Sequence, residues 1–170
     1  MKKFTTLFAV VTAFVLFSCG VSTKDAIKYN DQLTNEVNTI LNKYNAFTQS
    51  SGSVNHETGD YSAIDKPFAE YKAQVEASEK IVNEMKAFDG KTEMKDVALK
   101  LITTCKSTMN GEWAEMISIV KKGVNMTEDD ATKLKDLGTK VDEQMAKVQQ
   151  DFIDNQKKFA AQYKFELSTK

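Results

Sequence analysis

The stretch TEDDATKLKDLGTKVDEQMAKVQQDFIDNQKKFAAQY, residues 127–163, decides the fold of this chain. Thr127 and Asp130 have capping-box spacing, with Asp in place of the usual Glu, so a helix should begin between them. Apolar side chains then recur every three or four positions, as on one face of a helix; they are Leu134, Val141, Met145, Val148, Phe152 and Phe159. The pattern predicts a helix of about 36 residues, roughly 54 Å long.

Three more amphipathic helices precede this one. Ser22 and Asp25 repeat the capping spacing and predict a helix to about residue 48, whose Asn residues 30, 38, 42 and 45 fall mainly off its apolar stripe. The second helix is predicted to begin near Asp65 and to end at Asp89-Gly90 as a C-cap. A third is predicted as one continuous helix from about residue 92 to 122.

The connections between these helices are short, apart from a loop at residues 49–61. Each helix is apolar on one side only and cannot be stable alone. Short connections favour antiparallel neighbours, so residues 24–167 are predicted to form an all-α, up-down-up-down four-helix bundle. Opposite charges four residues apart, as in Asp96–Lys100 and Asp136–Lys140, should support the individual helices.

Composition excludes several classes of function. The 170 residues contain 23 basic residues, all of them Lys, against 24 acidic ones, and the net charge of −1 gives no reason to expect nucleic acid. A single His, His56, lies in the predicted loop, where we expect a solvated side chain rather than a metal ligand. One His and two Cys do not suffice for most zinc sites, and no cofactor or metal is predicted.

Residues 1–18 have the features of a bacterial export signal: two lysines, an apolar run from Phe4 to Phe17, and a small residue before the cut. The following Leu16-Phe17-Ser18-Cys19 resembles the lipobox of bacterial lipoproteins. That resemblance implies that a lipid bearing fatty acids such as palmitate is attached to the Cys19 thiol and that the chain is cut before Cys19. The alternative is an ordinary secretory signal in which Cys19 is incidental.

A lipid on Cys19 would make the membrane the first partner of this chain. Two or more acyl chains hold a protein stably at a bilayer, whereas one does so only marginally. Residues 19–23 would form a short tether between lipid and bundle. Gly20 stands where enteric lipoproteins retained in the inner membrane have Asp, so the outer membrane is expected, with the periplasmic or surface-exposed face left open.

Few residues of the bundle suggest chemistry. Cys105 lies on an apolar stripe and is predicted to be a buried small hydrophobe, with an intermolecular disulfide as the alternative. Gly111 and Gly138 interrupt predicted helices, and we expect close helix–helix contact at both. The alternative at the first is a small ligand crevice formed by Gly111, Glu112 and Trp113.

The mature chain resembles a family of small, uncharacterised helical surface lipoproteins of Gram-negative bacteria. The residues that carry the resemblance are Asp25 to Asp31, Asn110-Gly111-Glu112-Trp113, and the closing segment from Phe159 to Leu167. It implies a lipid-anchored four-helix bundle. The family carries no established activity, substrate or catalytic residue.

Three functional hypotheses follow. The first is a non-enzymatic binding or scaffolding module at the cell envelope, with an envelope or extracellular protein as partner. The second is a carrier or sensor for a small apolar ligand between the helices, near Trp113. The third, an enzyme using Glu112, Glu115 and a partner residue on the fourth predicted helix, has the least support, because carboxylates on charged helices are usually a solvated face. The sequence leaves the partner and the oligomeric state open.

Overall fold

The computed structural model describes residues 21–51 and 59–167, and the predicted signal peptide, Cys19 and His56 lie outside these ranges. Over the described residues the chain is all-helical, which confirms the predicted fold class. An isolated bridge pairs Phe88 with Lys91. The elements are α1 (Thr23–Ser51), α2 (Ser62–Glu84), α3 (Glu93–Asn110), α4 (Glu112–Val120), a 3₁₀ turn (Gly123–Asn125) and α5 (Glu128–Tyr163).

The helices form a four-helix bundle in which α3 and α4 together take one place. The main packing is α1 against α2 and α5 against α3 and α4, with α2 also against α3. The apolar stripes predicted from sequence face one core, because only there can every helix remove its apolar side from water. Fully buried members of this core are Leu33, Ile40, Phe47, Tyr71, Val75, Leu101, Ile102 and Val141.

Two of the predicted helix starts are confirmed at atomic detail. The Asp25 backbone N–H donates to Ser22 Oγ at 3.1 Å, and the Ser22 hydroxyl donates to Asp25 Oδ2 at 2.6 Å. At α5 a full capping box is present, since Asp130 N donates to Thr127 Oγ1 and Thr127 N donates to Asp130 Oδ2. These bonds satisfy backbone donors that a helix leaves free in its first turn.

The boundaries of α2 differ from the prediction at both ends. The helix begins at Ser62 rather than near Asp65, because the Asp60 carboxylate accepts a hydrogen bond from Ser62 N at 2.9 Å. It ends at Glu84, so the predicted C-cap at Asp89-Gly90 is wrong. Those two residues have φ of 53° and 72° and form the centre of a tight reverse turn, as in type I′.

The third predicted helix is broken rather than continuous. Gly111, with φ −103° and ψ −98°, separates α3 from α4. The expectation of close helix–helix contact at the two glycines is wrong. A Cβ built on Gly138 would meet nothing within 4 Å, and one on Gly111 would meet only the Ser107 carbonyl oxygen, at 3.3 Å, in the turn before it. Neither glycine is therefore needed to let a neighbouring helix approach.

Lysines expected to pair along their own helix pair across the bundle instead. Lys100 Nζ lies 2.6 Å from Asp151 of α5, and Lys140 Nζ lies 2.6 Å from Glu112 of α4. The long lysine side chain reaches a neighbouring helix as easily as the next turn of its own. These pairs therefore link α3 and α4 to α5.

The two ends of the bundle differ in character. At the end where α1 begins and α5 finishes, aromatic rings pack together: Tyr29, Phe88, Phe159, Tyr163 and Phe165. We call this the aromatic end. At the far end the hydroxyl of Tyr61 donates to the Lys121 carbonyl at 3.2 Å, and Val124 is 79% exposed. Across the described part of the chain, no helix is both long enough and apolar enough to cross a bilayer.

Candidate functional site

Trp113 lies on the wall of a small apolar crevice near the far end of the bundle. The crevice has a volume of about 150 Å³ and is lined by apolar side chains of α1, α2, α4 and α5. The indole ring packs edge-on against Phe47, with ring centroids 4.6 Å apart. Its Nε1 is buried and has no hydrogen-bond partner among the described residues. A cavity of this size accepts a molecule about as large as benzene.

Gly111 and Glu112, which the sequence groups with Trp113, do not line this crevice. Glu112 is 9% exposed and points to α5, where its carboxylate accepts from Lys140. The Lys140 ammonium hydrogen bond holds the pKa of Glu112 below its ordinary value of 4.5, and a hydrogen bond from Gln144 adds to the effect. A carboxylate with a lowered pKa is a weaker base, which does not suit it to general acid–base work at neutral pH.

Glu115, the second carboxylate of the enzyme hypothesis, forms an ion pair with Lys133 of α5. Both carboxylates are thus held by lysines of the same neighbouring helix. Their observed role is to link α4 to α5.

Cys105 is buried in the centre of the bundle, as predicted. Its side chain is 0% exposed, and its Sγ lies 3.9 Å from the Met145 sulfur. Burial raises the pKa of the thiol to about 11. The nucleophilic form of a cysteine is the thiolate, so the raised pKa and the burial both disfavour reaction of this thiol at neutral pH.

A polar groove lies along the first half of α1, beside the end of α5 and the segment that follows it. Its volume is about 560 Å³. Carboxamide and hydroxyl side chains line much of it, and they come from α1 and α5; they are Asn30, Thr34, Asn35, Asn38 and Gln156. We call this feature the amide groove. Gln156 Nε2 donates to Thr34 Oγ1 at 2.8 Å and so joins its two sides.

Asn30 is the unusual residue of the amide groove. It is only 4% exposed, and its Nδ2 donates to Asp31 Oδ1 at 3.3 Å. Its Oδ1 is buried and has no hydrogen-bond partner within the part of the chain that the structure describes. The sequence reasoning that put Asn30 off the apolar stripe of α1 is wrong. Residue 30 lies four positions after Ala26 and three before Leu33, so it falls on the same helix face as these two apolar residues. An Asn within that apolar row is the sequence signal that could have identified it as a buried polar residue.

The described residues contain no group of three or more His, Cys, Asp or Glu side chains placed to hold a metal ion. Comparison of the chain with models of protein families, with curated proteins and with solved structures gave no match. Evidence about function therefore comes from the amide groove, the Trp113 crevice and the two ends of the bundle.

Proposed function

We propose that this chain is a lipid-anchored protein of the bacterial outer membrane whose helical bundle is a non-catalytic binding or scaffolding module. In this proposal residues 1–18 are a signal peptide that is removed, and Cys19 carries the lipid. Residues 19–23 are the tether, and residues 24–167 form the bundle, with its helices in up-down-up-down order. The partner is an envelope or extracellular molecule.

The observation that carries the proposal is where the chain enters the bundle. The helix α1 begins at Thr23, four residues after Cys19, so the tether can span at most roughly 14 Å. The Thr23 hydroxyl donates to the Tyr163 carbonyl at 3.0 Å, which ties the start of α1 to the end of α5. A lipid on Cys19 would hold the aromatic end near the membrane and direct the far end away from it.

Hydrogen bonds between distant helix ends support the up-down order. The bond from Thr23 to Tyr163 joins the first turn of α1 to the last turn of α5. The bond from Tyr61 to Lys121 joins the residue before α2 to the residue after α4. Both contacts are what antiparallel neighbouring helices produce.

The polar groups of the described residues favour binding over catalysis. Glu112 and Glu115 are held by lysines, and the Cys105 thiol is buried with a raised pKa. The amide groove, by contrast, presents mostly neutral donors and acceptors, together with the carboxylates of Asp31 and Glu166. Such side chains position a ligand without reacting with it.

Mass spectrometry of the mature N-terminus tests the anchor. We expect the chain purified from membranes to begin at Cys19 with acyl chains attached, and Cys19→Ser to remain uncut and unlipidated. Cys105→Ala is the matched control, since it removes the other cysteine and should be lipidated like the wild type. An unmodified N-terminus in the membrane fraction, or one at another residue, would overturn the proposal.

Protease treatment of intact cells distinguishes the two faces of the outer membrane. Cleavage within residues 49–61 would place the bundle outside the cell and direct the search to extracellular partners. Full protection, with cleavage only after the outer membrane is opened, would place it in the periplasm.

The Trp113 crevice favours a second candidate function, a carrier or sensor for a small apolar ligand. Native mass spectrometry of the purified chain should then show a bound small molecule, and its removal should change Trp113 fluorescence. The variant Ile117→Phe, which places a larger side chain on the crevice wall, should bind less of it. An empty wild-type chain whose fluorescence does not respond to added toluene would exclude this function.

A further inference from the structure

The amide groove has the size and place of a binding site. Its volume of about 560 Å³ lies within the range of roughly 300–1,000 Å³ typical of ligand sites. It extends from Ile27 to Asn38 of α1, which is roughly 6 to 23 Å along the helix from Thr23. Its other wall is Gln156 of α5 with Phe165, Glu166 and Leu167. Rigid helices supply most of its polar groups.

The Asn30 side chain has an acceptor that a hydrogen-bond donor on a ligand could satisfy. A buried acceptor without a partner destabilises the folded state, so proteins rarely retain one without a use. Asn30 Oδ1 is such an acceptor, and the residue lines the groove. Oδ1 has almost no accessible surface, so a ligand hydroxyl or N–H would bond to it only after the Asn30 side chain turned toward the groove. That bond would recover the lost stability, which makes Asn30 the expected centre of recognition.

The other lining residues define the chemistry of the ligand. Asn35, Asn38 and Gln156 each offer both a donor and an acceptor, whereas Asp31 and Glu166 only accept. Among the lining residues that the structure describes there is no lysine. An anionic ligand would therefore meet two carboxylates and no cation. Paired donors and acceptors suit hydroxyl groups, which also donate and accept.

Peptide recognition fits this groove poorly. An added strand needs a sheet edge, and a docked helix needs a mainly hydrophobic groove. The groove is walled by α1, by Gln156 of α5 and by residues 165–167, which follow α5 and belong to no sheet, and its lining is more polar than apolar. Phe165, half-buried, adds one apolar surface on which the C–H face of a sugar ring can pack.

We infer that the amide groove binds a neutral saccharide through Asn30. The inference rests on the proposed function as a binding module and names its ligand class. Because the groove lies wholly within the bundle, its test does not depend on whether Cys19 carries a lipid. A failure of the anchor experiment and a failure of the saccharide experiment are thus separate results.

The test is NMR of the isotope-labelled mature chain in micelles of a detergent without sugar groups. The probes are hexasaccharides of β-1,4-glucose, α-1,4-glucose and β-1,4-N-acetylglucosamine, with polygalacturonate as an anionic sugar and oligolysine as a cationic peptide. We expect one neutral hexasaccharide to shift the side-chain amide signals of Asn30, Asn38 and Gln156. Polygalacturonate and oligolysine should not shift them.

The variant Asn30→Leu separates binding from folding. It removes the amide while keeping a similar volume, and we expect it to weaken saccharide binding at least 10-fold without loss of helical structure. Asn42→Ala, an exposed amide on the same helix outside the groove, is the matched control and should bind like the wild type. Equal affinity in Asn30→Leu, absence of any shift with the three neutral sugars, or shifts with oligolysine alone would overturn the inference.

Discussion

Cys105 lies against Met145 and near the Tyr71 side chain in the core, with no exposed surface. Core cysteines of this kind act as small apolar side chains. The same burial that excludes water also disfavours the thiolate, which is why the pKa of this thiol rises to about 11.

We predict that the Cys105 thiol does not react with a water-soluble thiol reagent at pH 8 while the protein is folded. Full reaction should appear after unfolding in guanidinium, because the thiol then regains an ordinary pKa and full access. The rate of absorbance change with the reagent measures both states in the Cys19→Ser background. Rapid reaction of the folded protein would show that Cys105 is accessible.

The Glu112–Lys140 pair makes a prediction about pH. The pKa of Glu112 is lowered in the folded state, so the pair stabilises the fold above the ordinary carboxyl pKa of 4.5 and loses this effect as the pH falls through the lowered value. Glu112→Gln should therefore lower the free energy of unfolding by about 1 kcal/mol at pH 7. In strongly acidic solution the variant and the wild type should converge.

Urea denaturation at several pH values measures this difference. Asp151→Asn is the matched control, since its carboxylate pairs with Lys100 at the same 2.6 Å but is 38% exposed. Water screens an exposed pair, so this variant should lose less stability than Glu112→Gln. A pH-independent difference for Glu112→Gln would mean that packing, not charge, holds Glu112 in place.

At the scale of the helices, Gly138 and Gly111 differ in how much an added side chain would disturb the structure. Gly138 lies inside α5, with open space where a Cβ would stand. Gly111 lies at the break between α3 and α4, where a Cβ would press on the Ser107 carbonyl oxygen at 3.3 Å. An alanine at position 138 has space for its Cβ, whereas an alanine at position 111 would displace the Ser107 carbonyl oxygen.

Gly138→Ala should raise the free energy of unfolding by about 0.5–1 kcal/mol, because alanine loses less backbone entropy in a helix than glycine does. Gly111→Ala should give a smaller gain or none. Thermal and urea unfolding followed by circular dichroism measure both variants. Destabilisation by Gly138→Ala would indicate that something contacts this position beyond the residues described.

The helix boundaries show most directly which features could be predicted from the sequence. The helix caps at Ser22 and Thr127 were predictable because their bonds join residues three apart, and local spacing contains all of that information. The end of α2 was not predictable in this way. Glycine after an apolar helix signals a C-cap as readily as it signals the tight turn that Asp89 and Gly90 form.

At the scale of the whole molecule, the proposed lipid at Cys19 gives the bundle a direction. Trp113 packs against Phe47, which lies 24 residues, or roughly 36 Å, along α1 from Thr23. Phe165 belongs to the aromatic end. The two positions therefore report on opposite ends of an anchored bundle.

We predict little energy transfer from Trp113 to dansyl-labelled lipid headgroups when the lipidated chain is bound to vesicles. The double variant Trp113→Phe, Phe165→Trp moves the donor to the aromatic end and should transfer strongly. Fluorescence of the two proteins on the same vesicles measures the contrast. Equal transfer from both positions would mean that the bundle lies flat on the membrane.

The sequence by itself determined that this chain is helical, where its apolar faces lie and where two of its helices start. Those features depend on periodicity and on neighbours three or four residues apart. The tertiary structure alone decided that Lys100 and Lys140 pair across helices and that the crevice at Trp113 excludes Glu112. It also decided that Asn30 Oδ1 is buried beside a groove with no hydrogen-bond partner among the described residues. Each of these depends on side chains from helices far apart in sequence, and their meeting is set by how four apolar faces pack into one core.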